Sequence, residues 1–344
     1  MNTADRRKKK KKHKAEAKTD KKKSELNPEE IYTDRCIAFL DILGFKDLVD
    51  KSVVDPAERL VLYKMLHHDH SAHYSSLFSS PLTTPDGIPS SPPSMRTTVF
   101  SDSIVSSFEA ADNPSHILIA ICDIFCGFCA NNFFLRGGFS SGELFHEGNV
   151  LFGPAMNEAY RLENTAIYPR IVIDPKLVYN FNSTIRMRAP NEKRTIVYEY
   201  QFVRRDSADG AAILNVVEYA LAMAYEEAAK EAHRLSLGED CSDPNWKWWR
   251  KWPFVVKKYV EANLNRFPLD SSEFRKYHWF ATHFNEVYFQ NNPSTTIFST
   301  PPSGERKPGD GSVQIRFIFG APINIPNLEK PASPDPNSPN QVPD

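Results

Sequence analysis

No run of twenty apolar residues occurs in the 344-residue chain, so no segment reads as a helical membrane span. The start is basic, but no apolar stretch follows it, which argues against a secretory leader. Cysteine is scarce: five residues, an odd number without framework spacing, suit a reducing, cytoplasmic setting rather than a disulfide-stapled fold. No internal repeat is apparent. Net charge is nearly absent too, at −1, yet this hides an asymmetry: residues 1–23 carry twelve Lys/Arg against three acids, leaving thirty basic and forty acidic residues elsewhere. The run Arg6–Lys23 cannot bury apolar surface and is expected to be disordered. It reads as a solubilising tail, with no stable nucleic-acid or membrane binding expected.

What is present is enough apolar residue, 41% with 12% aromatics, for a sizeable core. Strand-like Cys36–Asp41 runs into a turn at Leu43-Gly44, and a helical pattern follows to about His73, broken at Asp55-Pro56. Ser75–Ser94 reads as a Ser/Pro/Thr loop. Arg96–Phe100 and Ser103–Phe108 alternate like paired strands about a tight turn at Ser101-Asp102. Asn113-Pro114 caps an apolar helix to about Asn132. Leu135–Ser140 reads as a strand, with a turn at Gly142 and a second hairpin through Val150–Phe152. Pro154 then starts a short helix. Arg170–Asp174 and Thr195–Phe202 follow as strands, then helices over Ala211–Leu235, Val255–Phe267 and Ser272–Gln290, and a strand over Val313–Phe319. This order predicts an α+β fold, ferredoxin-like and palm-type, with a mostly antiparallel central sheet, helices on one face and a C-terminal helical extension.

Three segments carry chemistry: FLDILGF at Phe39–Phe45, FSDS at Phe100–Ser103, and Leu135–Glu163. Asp41 and Asp102 sit at a strand end and a hairpin turn, which neighbouring antiparallel strands can bring together. Carboxylates so placed repel unless a cation lies between them, and Mg²⁺ or Mn²⁺ is the natural occupant. The Leu43-Gly44-Phe45 turn is expected to offer backbone N–H groups to triphosphate oxygens. Asn157 and Arg161, four apart on one helix, share a face. They suit a ribose and a developing phosphate charge, respectively.

Together the segments resemble the class III nucleotide cyclases. The resemblance lies in Phe39, Asp41, Ile42, Gly44 and Phe45; in Asp102; in Arg136, Gly138 and Gly142; and in Asn157, Arg161, Leu162 and Glu163. It covers roughly residues 34–200. It implies two divalent ions held by Asp41, Asp102 and the Ile42 carbonyl, and catalytic roles for Asn157 and Arg161. It also implies a homodimer with active sites at the interface, converting a nucleoside triphosphate into a 3′,5′-cyclic monophosphate and pyrophosphate. Departures are Ser101 where the family has Gly, and Lys46 where it has Thr. The purine-reading positions align with Thr98 and Val150, neither of which belongs to the adenylate or guanylate pair. Arg96 shares the strand face of Thr98, and both are candidate base contacts. A second transition-state cation is sought in Lys193 or Arg194, and Arg136 is assigned to strand or dimer support.

These departures are most similar to the Pycsar-type bacterial cyclases, which make cyclic UMP or CMP from UTP or CTP in antiphage defence. UTP is preferred over CTP, since an Arg donor suits the two carbonyls of uracil. Rival readings are a purine cyclase and a catalytically silent nucleotide-binding or partner module. The expected division is a basic tail over 1–30, the cyclase domain over 31–205, a helical extension over 206–325 and a Pro-rich tail over 326–344. Taken singly, Asp41 reads as a strand-end cap and Asp102 as a turn former, and Arg161 can pair with Glu158 or Glu163 on a solvated face. His67, His68, His70 and His73 read as an exposed helix end, and Cys126 and Cys129 as core packing. Trp246, Trp248, Trp249 and Trp252 read as anchors for the C-terminal helices.

Overall fold

Strand β1 (Thr33–Ile42) is apolar without interruption from Cys36 to Leu40, and all five of these residues are buried. A half-buried strand would alternate; this one is covered on both faces. Cys36, Ala38, Leu40 and Ile42 enter the main core, whereas Ile37 and Phe39 join a smaller cluster with Val105, Leu144, Ala155 and Ala159. The computed structural model describes residues 31–67, 82–83, 89–90, 94–181, 184–187, 198–236 and 248–291.

Helices α1 (Phe45–Val54) and α2 (Pro56–Leu66) follow, α2 capped by Asp55, whose carboxylate accepts the N–H of Ala57 at 2.8 Å. Short strands β2 (Leu82–Thr83) and β3 (Pro89–Ser90) pair with each other. Then come the hairpin β4 (Arg96–Phe100) and β5 (Ser103–Glu109), and helix α3 (Pro114–Cys129), with Asn113 accepting the N–H of Ser115 at 2.9 Å. Strand β6 (Leu135–Glu147) leads into β7 (Val150–Phe152), helix α4 (Pro154–Thr165) and β8 (Ile171–Ile173). After α5 (Val178–Phe181) and the pair β9 (Thr184–Met187) and β10 (Tyr198–Gln201) come β11 (Val203–Arg205) and β12 (Ala212–Leu214). Three helices close the described chain: α6 (Val216–Ser236), α7 (Trp248–Arg266) and α8 (Ser272–Asn291).

The main sheet runs β11-β12-β8-β6-β1-β5-β4, with β7 attached to β6, and only β6 and β8 pair in parallel. This is the expected α+β fold with a mostly antiparallel sheet. Three expectations are corrected. Gly142 is not a turn: β6 continues through it at φ 143°, because Arg35 and Thr33 of β1 pair with Gly142 and Leu144; the chain turns at Gly148, φ 57°. Ala212–Leu214, expected to be helical, is a strand pairing with β8 and β11, so the sheet extends past residue 205. The helices also do not share one face. Packed on the Gly138 side of the sheet, α4 is so close that a Cβ on Gly138 would lie 2.1 Å from the Ala159 carbonyl. On the opposite face, α3 joins the core of Leu40 and Phe108.

The C-terminal helices cover α3. Trp252 Nε1 donates to the Cys126 carbonyl at 2.9 Å, and the Tyr219 hydroxyl donates to Asp123 at 2.6 Å. Buried Arg170 pairs with Asp206 and with Asp209 (2.9 Å), beneath the stacked rings of Tyr168 and Trp279. The strand expected over Val313–Phe319, both tails, and His68, His70, His73, Lys193, Arg194 and Trp246 lie outside the described residues.

Candidate active site

Pairing brings the two aspartates to one end of the sheet. Asp41 stands opposite Ser103 of β5 and Arg136 of β6, and the Ile42 N–H donates to the Asp102 carbonyl at 2.9 Å. Asp102 therefore adjoins Asp41 and Ile42, as the hairpin reading required. Ser101 reaches this turn at φ 53°, in the left-handed region that suits glycine. Burial raises the Asp41 carboxyl above the usual aspartate range; the Arg136 guanidinium opposes this and Asp102 reinforces it.

Arg136 is central to the arrangement. Its Nε lies 2.9 Å from Asp41 Oδ2 and 2.7 Å from Glu163 Oε1. The Nε–H is directed to Asp41, and Glu163 meets the same nitrogen as an ion-pair contact. Glu163 is 3% exposed, and among the described residues no hydrogen-bond donor reaches its Oε1. Burial raises the Glu163 carboxyl as well; Arg136 opposes the shift, and Asp41 and Asp102 add to it. Sequence reasoning assigned Arg136 to support and missed Glu163 as a site residue. The available signal was angular: Glu163 lies two residues, about 200°, from Arg161 on the helix and so points the other way.

On the opposite side of α4, Asn157 and Arg161 are exposed, Arg161 by 61%. Arg161 Nε donates to Glu158 at 2.8 Å, the solvated pair that the sequence allowed. The aspartates thus come together within one chain, whereas Asn157 and Arg161 face outward. Tyr160 of the same helix is exposed, as are Phe100, Phe152 and Val150 elsewhere on the sheet. Phe39 links two of these, with ring centroids 5.5 Å from Tyr160 and 6.3 Å from Phe100.

The two expected base contacts differ in availability. Thr98 is buried, and its hydroxyl is used within the protein: it donates to the Gly148 carbonyl at 3.1 Å and accepts from His146 Nε2 at 2.8 Å. His146 Nδ1 in turn accepts from the Ser107 hydroxyl at 2.7 Å, and Ser107 accepts from Arg35 Nε at 3.0 Å. Each donor finds an acceptor, which fixes the imidazole as the neutral Nε2–H tautomer. Burial, with Arg35 and Arg96 nearby, lowers the His146 pKa to about 4. Arg96 is exposed and donates through Nη1 to the His146 carbonyl.

The Leu43–Phe45 turn needs one correction. The Leu43 N–H donates to the Phe134 carbonyl at 2.9 Å, so it is not available to a phosphate. Gly44, at φ 73°, is the N-cap of α1, and Phe45 opens that helix. The Phe134 ring packs edge-on against Tyr277 and Phe280 of α8, both within 5.2 Å. The same helix brings Lys276 near enough to lower the Asp41 pKa slightly against the larger effect of burial.

No group of three His, Cys, Asp or Glu side chains among the described residues is arranged to hold a metal ion. The donor set is smaller and all oxygen: Asp41, Asp102 and the Ile42 carbonyl. It fits Mg²⁺ or Mn²⁺, because such ions keep several waters and take substrate phosphates as further ligands. Cys126 and Cys129 are buried in α3 as free thiols, their pKa values pushed well up by burial, and His67 stacks on Tyr63. No helix among the described residues is long and apolar enough to cross a membrane.

No protein-family model and no curated protein matches the chain. Among solved structures, it is similar to the catalytic core of a rhodopsin-guanylyl cyclase with converted specificity in complex with ATPαS. The two share 14% identity over 53% of this chain and 96% of that one, with a TM-score of 0.33. It is also similar to the adenylyl cyclase CyaB from P. aeruginosa (14% identity, 51% and 97% covered, TM-score 0.33). A third is an adenylate/guanylate cyclase/hydrolase from Silicibacter pomeroyi (18% identity, 48% and 94% covered, TM-score 0.29).

Proposed function

We propose that the chain is a metal-dependent nucleotide cyclase acting as a homodimer on a pyrimidine nucleoside triphosphate, UTP ahead of CTP. The observation that carries this reading is the meeting of Asp41 and Asp102 at the end of β1, with Ile42 bonded to the Asp102 backbone. The motif resemblance supplies the reaction class. A divalent cation held by Asp41, Asp102 and the Ile42 carbonyl supplies positive charge that lowers the pKa of a ribose 3′-hydroxyl and offsets charge on the leaving pyrophosphate.

The chain's own groups do the rest. Asn157 and Arg161 are exposed on α4, where they can face the Asp41 site of a second copy. There Asn157 orients the ribose and Arg161 donates to oxygens of the α-phosphate as charge develops on them. The exposed Tyr160 beside them, linked through Phe39 to exposed Phe100, supports burial against that copy. For the base, Arg96 retains donors beyond the one given to His146, which suits uracil's carbonyl acceptors. Thr98 is excluded by its buried hydroxyl.

The test is incubation of the purified protein with ATP, GTP, CTP and UTP separately, with Mn²⁺, resolving products by mass and chromatography. Cyclic UMP, lost in Asp41→Ala, is the expected product. Cyclic AMP or GMP would overturn the base assignment, and no cyclic product from any triphosphate would overturn the enzyme reading.

A further inference from the structure

The buried Oε1 of Glu163, in ion-pair contact with Arg136 but without a hydrogen bond, requires an account of its own. A carboxylate oxygen without a donor is costly in a protein interior. Here it is held 2.7 Å from Arg136 Nε, whose single N–H is directed to Asp41. Glu163 has little freedom to move away. A Cβ on Gly138 would meet Leu162 Cβ at 2.6 Å and Glu163 N at 2.8 Å, so this turn of α4 is seated directly on β6. Ser140 Oγ bonds the Ala155 carbonyl at 2.7 Å and fixes the helix at its other end.

We propose that Glu163 is a positioning residue that receives Arg136 when a divalent cation occupies Asp41. The inference rests on the metal reading above and deepens it. A cation at Asp41 repels the guanidinium held 2.9 Å from that carboxylate. Glu163 Oε1 already lies within hydrogen-bond distance of the same Nε, so redirecting one N–H releases Asp41 without leaving Arg136 unpaired. With the cation gone, Arg136 neutralises Asp41 again. The three side chains form a hand-over in which one guanidinium is shared between a ligand carboxylate and a waiting acceptor. No bond is made or broken beyond the hydrogen bond.

The test measures Mn²⁺ binding without nucleotide, from the electron paramagnetic resonance signal of unbound Mn²⁺, on folded full-length protein. Asp41→Asn should abolish binding; wild-type protein that binds no Asp41-dependent Mn²⁺ overturns the metal reading itself, and the hand-over with it. Given wild-type binding, Glu163→Gln should raise the Mn²⁺ dissociation constant about tenfold, or roughly 1.4 kcal/mol, because Arg136 then competes for Asp41. Glu163→Asp, which keeps the charge one methylene short, should give a smaller rise and serves if Glu163→Gln fails to fold. In an Arg136→Gln background, substitution of Glu163 should have no effect, since the competitor is gone. Unchanged affinity in Glu163→Gln, or the same weakening with and without Arg136, overturns the hand-over. The second result would mean that Glu163 acts through its own charge alone.

Discussion

His146 is poised so that acid should destabilise the fold by a predictable amount. Its Nδ1 accepts from Ser107, which accepts from Arg35, and its Nε2 donates to Thr98, which donates to Gly148. Protonation turns Nδ1 into a donor facing a hydroxyl that already receives an N–H, next to the Arg35 and Arg96 cations. The folded pKa is accordingly about 4, against 6.5 for a free histidine. Because the folded value lies below the unfolded one, the unfolded chain binds the proton first. Stability is therefore complete above about pH 6.5 and is lost as the pH falls towards 4. At about 1.4 kcal/mol per unit, most of the gap acts by pH 4.5, giving a loss of roughly 2–3 kcal/mol from this group. Urea unfolding of wild type and His146→Gln at pH 7.5 and 4.5 isolates the effect from other titrating groups. The variant should be less stable at pH 7.5 but lose roughly 2–3 kcal/mol less on acidification. Equal acid losses in the two proteins would refute the reasoning.

The reverse sign is expected at Asp123, whose carboxyl burial pushes up to about 7 despite the Tyr219 hydrogen bond. Stability should fall as the pH rises from about 4 to 7, by roughly 4 kcal/mol, and Asp123→Asn should flatten that part of the urea-midpoint profile. Ser101→Gly removes an L side chain from φ 53°. It should raise stability by about 0.5–1 kcal/mol, read as a higher thermal midpoint. Gly138→Ala forces a Cβ to within 2.1 Å of a helix carbonyl. It should cost about 3 kcal/mol or prevent folding, checked by circular dichroism and by loss of Mn²⁺ binding.

Where local chemistry decides structure, the sequence was readable. Asn113-Pro114 starts a helix because the side chain and the proline ring act on their own backbone, and the 96–108 hairpin follows from alternation about a two-residue turn. Where distant partners decide, it was not. Gly142 favours a turn by itself, but pairing with Arg35 of β1 holds it in a strand. Ala212–Leu214 has helical propensity, but the vacant side of β8 and the approach of β11 draw it into the sheet. The site divides in the same way. The adjacency of Asp41 and Asp102 was legible because a strand end and a hairpin turn have few ways to meet. Thr98 was misjudged because its partners, His146 and Gly148, lie about fifty residues downstream. Glu163 was legible only as one of two partners for Arg161; the structure pairs Arg161 with Glu158 and Glu163 with Arg136.

The position of β1 bears on how the chain is made. The first strand of the described fold occupies the middle of the sheet, between β5 and β6, and it is apolar on both faces. During synthesis its two hydrogen-bonding edges wait for residues 103–109 and 135–147 to emerge, and its exposed apolar groups wait with them. Closure of the far edge needs β12 and β11, the Arg170 clamp needs Trp279, and the core takes in Phe284 and Val287, so assembly waits for residues beyond 280. Such long-range pairing slows folding and leaves a nascent chain open to aggregation. Folding yield from a ribosome should therefore depend on chaperone supply more than the stability of the finished protein implies.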